Sequence, residues 1–162
     1  MDTVSIWRFD TSDGAEVALR ALERLQARRL LAIDDVAVVS WRPGSSRPHA
    51  YQVGTAAGTA ALSGAFWGLL FGLLFLLPHA GVTEGGVVLA RVGLTGEFLT
   101  FARERITPGT SALFLLTDRA VVGRLREAST GADSDLLVNS LDREQAAVLH
   151  RAFDADDDVV IR

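Results

Sequence analysis

The chain has 162 residues, with 16 basic and 20 acidic side chains and a formal charge of −4, a length that suits one domain carrying an insertion. The acidic balance argues against a nucleic-acid partner, which needs a basic patch, and every basic residue is Arg, none Lys. The absence of cysteine excludes disulfides, zinc–thiolate sites and thiol catalysis.

The opening MDTVSIWRFD has no basic stretch followed by an apolar core. No cleavable signal peptide is therefore expected, and the polar parts of the chain are expected to remain cytoplasmic. Val4–Phe9 reads as a short strand. Thr11-Ser12-Asp13 supplies helix N-cap residues, and Asp13-x-x-Glu16 has the form of a capping box. Ala15, Ala18, Leu22 and Leu25 recur at three- and four-residue spacing, which predicts an amphipathic helix to about Arg29. Asp35–Trp41 is β-branched and reads as a second strand. Residues 1–41 thus form a first strand–helix–strand half, closed by the turn-rich Arg42–Pro48.

Residues 42–107 are a glycine-rich hydrophobic insertion with a return helix. From His49 to Thr83 there is no charged residue, and Ala60-x-x-x-Gly64-x-x-x-Gly68-x-x-x-Gly72 lies at the centre of this run. A helix over about 55–77 is predicted, ending at Pro78. It covers roughly 35 Å, against a hydrocarbon core of about 30 Å. The four-residue spacing stacks Gly64, Gly68 and Gly72 into a groove open to another helix backbone. Trp67, Phe71 and Phe75 form a ridge beside it. A ridge next to a groove is self-complementary, so homo-oligomerisation is expected. Trp67 lies in the middle of the run, unlike interfacial tryptophans, which sit at membrane boundaries. A single crossing would part the two halves of the domain, so the chain must come back. His79–Gly93 would cover only about 22 Å as a helix, and its Glu84 and Arg91 are a candidate ion pair across the return seam. A re-entrant hairpin or burial by neighbouring subunits would each accommodate them.

Beyond the insertion, Thr95 can cap a helix that turns Phe98, Ala102 and Ile106 inward, and Thr107-Pro108-Gly109 marks a turn. Ser111–Thr117 is apolar on both faces and so reads as a central strand. A helix from Asp118 follows, with Val121, Leu125 and Ala128 inward, then a strand at Asp135–Asn139 and a helix at Asp142–Phe153 carrying Ala146, Leu149 and Phe153 on one side. Residues 108–153 make the second half plus a C-terminal helix, and 154–162 an acidic tail in which Val159–Ile161 is a short edge strand or disordered. The expected fold class is α+β: a ferredoxin-like split βαβ domain with an inserted glycine-zipper hydrophobic helix or hairpin.

VSIWRFD, SDGAEVALRALERLQ, DDVAVVSW, GAFWGLLFGLLFLLP, TPGTSALFLLT and SLDREQAAVLHRAF together resemble the bacterial membrane-protein family labelled domain of unknown function 1269, over nearly the whole chain. The resemblance implies a small bacterial membrane protein, in a family with some stress-induced relatives, and carries no activity over. Leu94-Thr95-Gly96-Glu97 stands where relatives have an acidic cap, and the return arm is shorter than theirs.

Chemistry is not indicated. His49, His79 and His150 are far apart, and the Asp154–Asp158 run lacks the Gly and Glu of a calcium loop. Gly54-x-x-x-Gly58 and Gly85-Gly86 lack a phosphate-loop context, and Ser63 and Ser111 have no base nearby. No catalytic residue, cofactor or metal is expected. The expected role is a non-enzymatic, membrane-associated, homo-oligomerising protein, with itself and a lipid bilayer as partners, at the cell membrane with a cytoplasmic domain. The alternative is a cytoplasmic, soluble homo-oligomeric binding or regulatory module whose apolar helices form the core of the assembly.

Overall fold

The computed structural model describes residues 2–30, 32–53, 64–76, 90, 93–128 and 134–153. Strands β1 (Asp2–Phe9), β2 (Ile33–Ser40), β3 (His49–Gln52), β4 (Ser111–Asp118) and β5 (Ser134–Ser140) form one sheet in the order β3-β2-β4-β1-β5. Every pairing is antiparallel. The described helices are α1 (Gly14–Ala27), α2 (Gly64–Phe71), which runs into a π-helical turn at Gly72–Leu76, α3 (Gly96–Arg105), α4 (Arg119–Ala128) and α5 (Arg143–Phe153). The molecule is α+β.

The strand order interleaves the two halves of the chain. β4 lies between β1 and β2, and β1 lies between β4 and β5. Neither half can complete a sheet alone. β4 is buried from Ser111 to Thr117, which agrees with its two-sided apolar sequence, because a pleated strand sends successive side chains to opposite faces. Leu113 and Leu115 join α1 and α4 on one face, where Ala15, Leu19, Leu22, Val121 and Leu125 are buried. Ala112, Phe114 and Leu116 point to the other face, against α2, α3 and α5. Phe66, Trp67, Phe98 and Phe114 are among the largest fully buried side chains there, each removing apolar surface worth about 1.5–3 kcal/mol.

Local signals set the starts of α3 and α5. Thr95 caps α3, its hydroxyl accepting from the Phe98 amide. Asp142 and Gln145 cap α5 reciprocally, through Gln145 N to Asp142 Oδ1 at 2.7 Å and Asp142 N to Gln145 Oε1 at 3.0 Å. The capping box expected at Asp13 and Glu16 does not form, since the Asp13 side chain makes no cap hydrogen bond. A residue from β4 takes over: Ser111 Oγ accepts from Ala15 N at 2.8 Å and donates to Thr11 O at 2.7 Å.

One further departure concerns the insertion. From sequence, His49–Gln52 belong to the hydrophobic run; in the structure they form β3, paired to β2 in a hairpin. One exposed and three half-buried residues carry too little alternation to announce a strand. Of the helix expected over about 55–77, residues 64–76 are described, as eight α-helical residues and a five-residue π turn, and the remainder of that expectation lies outside the described residues. Among the described residues no helix is long and apolar enough to cross a membrane.

Candidate functional site

α2 lies on the sheet with one side inward. Phe66, Trp67, Leu70, Phe71, Leu73 and Leu74 are buried, Phe75 is half-buried, and Gly68 is exposed. The aromatic ridge exists as a stacked column. Trp67 and Phe71 lie 5.8 Å apart, and Phe71 and Phe75 6.2 Å apart, both pairs at 27°. It faces its own sheet. Phe114 meets Phe71 edge-on at 5.2 Å and Trp67 at 6.4 Å, and Trp41 meets Phe75 at 6.0 Å. Packing that sequence reasoning assigned to a neighbouring copy is made largely within the chain.

The column is anchored by a buried carboxylate. Asp35 is fully buried on β2, where the register shifts between Ile33 and Asp35. Its Oδ2 accepts from Trp67 Nε1 at 3.1 Å and from Gln52 Nε2 at 3.0 Å, and its Oδ1 from the Val36 amide at 2.9 Å. A buried carboxylate is tolerated when hydrogen-bonded in this way. The three residues tie β2, β3 and α2 together. On the far side, Arg103 of α3 donates from Nη2 to the Leu73 carbonyl at 3.3 Å, giving a partner to a backbone acceptor in the π turn.

Between β3 and α2 runs a groove of about 500 Å³, with His49, Tyr51 and Pro48 on one wall and Gly68, Gly72 and Phe75 on the other. A Cβ built on Gly68 or on Gly72 meets no heavy atom of the described residues within 4 Å. Among the described residues, both glycines therefore leave the helix backbone uncovered along this side. Tyr51, half-buried, has its phenol pKa raised above the usual value of 10.0, by burial first and then by the charge and hydrogen bonding of Glu16. The Glu16 carboxylate of α1 thus acts on Tyr51 of β3.

Of the residues singled out from sequence, Gly68, Gly72, Trp67, Phe71 and Phe75 line this one groove, and Gly64 begins α2. Glu84 and Arg91 lie outside the described residues. Asp35, Gln52 and Arg103 were not legible as site residues. The pair Asp34-Asp35 precedes a β-branched run, and only the position of Trp67 reveals which of the two acids turns inward. Among the described residues no group of three or more His, Asp or Glu could hold a metal ion. The arrangement offers an apolar surface beside a strand edge, suited to binding.

The family model described as Protein of unknown function (DUF1269) matches residues 61–154, more than half of the chain, spanning α2 through α5. The unit from β1 to β3 lies outside the matched residues. No curated protein and no solved structure matches the chain.

Proposed function

The chain belongs to the DUF1269 family of proteins of unknown function, and from that premise we propose that it is a non-enzymatic assembly module: a ferredoxin-like split βαβ domain that binds further copies of itself along the outer side of α2. The interleaved order β2-β4-β1-β5, with α1 and α4 on one face, supports the ferredoxin-like reading. The observation that carries self-association is the open space over Gly68 and Gly72. A glycine inside a helix costs about 0.5–1 kcal/mol relative to alanine. Nothing within the described monomer requires these two to lack a side chain. Close approach of a second helix backbone would give them a use, as in the small-residue packing of helix pairs. Trp67 and Phe71 then act from below, stiffening the helix, while Phe75 borders the contact.

The test is the mass of the native particle in buffer without detergent, by sedimentation or light scattering. Wild type is expected as a defined oligomer. Gly68→Ile is expected as a monomer with an unchanged circular-dichroism spectrum, because the extra side chain has room. A monomeric wild type, or a Gly68→Ile particle of wild-type size, overturns the reading.

A second reading rests on the charge-free run from His49 to Thr83: docking of this apolar segment into a bilayer. It is favoured if the full chain stays with membranes after high-salt washing and leaves only with detergent. The first reading carries a cytoplasmic location and the second a cell-membrane one.

A further inference from the structure

The two edges of the sheet are not alike. β3 forms one edge with four residues that follow Pro48 directly. β5 forms the other with seven, and its pairing to β1 runs from Ser134 to Ser140 without a register shift. Edge strands are commonly guarded by proline, lysine, a bulge or short length. β5, with the sequence SDLLVNS, has none of these. Its one charge, Asp135, is held by Arg8 at 3.3 Å and by Arg105 at 3.1 Å.

The ladder fixes which main-chain groups are left over at this edge. In an antiparallel sheet, successive residues turn N–H and C=O first to one neighbouring strand and then to the other. Trp41 N donates to Thr110 O in line with the β2–β4 register. Carried across β4 and β1, that phase turns Asp135, Leu137 and Asn139 toward β1 and leaves Leu136 and Val138 facing outward. The main chain of neither has a hydrogen-bond partner among the described residues. Leu136 and Val138 are half-buried against the α1–α4 face, and Leu137 against the face that carries α2, α3 and α5. Both apolar layers therefore reach this edge and are only partly covered there.

The order of residues in β5 selects the occupant. Laid antiparallel on a second β5 about a dyad at Leu137, the strand sets Leu136 opposite Val138, Asp135 opposite Asn139, and Leu137 opposite its own copy. Leu136 and Val138 are then the hydrogen-bonded pairs, as the phase of the ladder requires. Apolar residues meet on both faces, and the one charge meets an amide instead of its twin. An unrelated extended peptide could pair its main chain here, but it would not match these side chains on both faces.

We propose that β5 is a second self-association surface, joining two copies antiparallel into one continuous sheet. It lies at the edge remote from β3 and the α2 groove, and it rests on the reading of α2 as the first surface. One seven-residue strand pair is a small contact. It holds between particles that α2 has already assembled, where several such contacts act together.

The test is disulfide trapping in the full-length protein. The chain has no cysteine, so Leu137→Cys introduces a single thiol. Facing its own copy in a non-hydrogen-bonded pair, with Cα atoms about 4.5 Å apart, that thiol is within disulfide reach. Under mild oxidation most of the protein is expected as a covalent dimer. Leu136→Cys, two residues out of step with its copy, is expected to stay uncrosslinked. Adding Leu136→Lys and Val138→Lys to Leu137→Cys is expected to abolish crosslinking at an unchanged unfolding midpoint, because like charges then face each other. Mixing that protein with one carrying Leu136→Glu, Val138→Glu and Leu137→Cys is expected to restore it. No crosslink in Leu137→Cys, equal crosslinking in Leu136→Cys, or crosslinking that survives the Lys pair overturns the proposal. An assembled wild type whose Leu137→Cys form does not crosslink fails this contact and leaves the α2 surface standing. A Gly68→Ile particle of unchanged mass fails the α2 surface, whatever the disulfide shows.

Discussion

The indole nitrogen of Trp67 donates to the Asp35 carboxylate across 3.1 Å in the core, joining residues 32 positions apart in sequence. This bond ties the inward side of an all-apolar helix to the sheet. Trp67→Phe keeps the ring and removes the donor, leaving one fewer partner on a buried carboxylate. A loss of about 1.5–3 kcal/mol is expected, read as a lower urea midpoint at unchanged slope. An unchanged midpoint would show that the bond contributes nothing to stability.

Ser111 and Asp13 offer a contrast. The hydroxyl of Ser111 caps α1 from β4, whereas Asp13, at the N-cap position, makes no side-chain cap bond. Ser111→Ala is expected to destabilise the fold by about 1–2 kcal/mol, and Asp13→Ala to stay within about 0.5 kcal/mol. The reverse order of the two values would restore the local capping box.

Gly93 has a φ of 94°, and a Cβ there would lie 2.8 Å from Leu141 Cδ2 and from Gln145 Cδ. Its carbonyl accepts from Asn139 Nδ2 at 2.9 Å, while Asn139 Oδ1 accepts from the Thr95 amide at 3.1 Å. These bonds dock the start of α3 on β5. Gly93→Ala combines left-handed strain with overpacking, and about 2–4 kcal/mol of destabilisation is expected, measurable by thermal or urea unfolding.

Tyr51 is the one tyrosine of the chain, so the near-ultraviolet absorbance of phenolate reports it alone. Burial, then Glu16, raises its pKa above 10.0. The unfolded chain therefore releases this proton first as pH rises. Stability from the group is complete below about pH 10 and is lost as pH climbs through the higher folded value. Two outcomes are expected: titration above the free-tyrosine midpoint in native protein, and a flatter alkaline stability profile in Tyr51→Phe. Titration at the midpoint of the urea-unfolded chain would contradict the burial argument.

Much of the fold was legible. β4 announces its central place through seven consecutive residues with no polar face, and Thr95 announces α3 because a threonine hydroxyl satisfies a nearby amide. The strand β3 was not, being short, half-exposed and followed directly by an apolar run. In the groove, the glycine spacing and the aromatic spacing were both visible from residue numbers. Their orientation was not. A helix that is apolar all round has no sequence-encoded inner side, and its direction here follows from Asp35, Gln52 and Phe114 on other elements.

What the sequence by itself determined is the kind and order of the local elements, because alternation, helical spacing and most caps act over a few residues. Tertiary structure decided what each element touches: Ser111 over the start of α1, Arg103 under the π turn, and Asp35 behind Trp67. Those contacts join residues some thirty to a hundred positions apart. They arise when interleaved strands bring distant polar groups out of water together, where each must find a partner inside the protein.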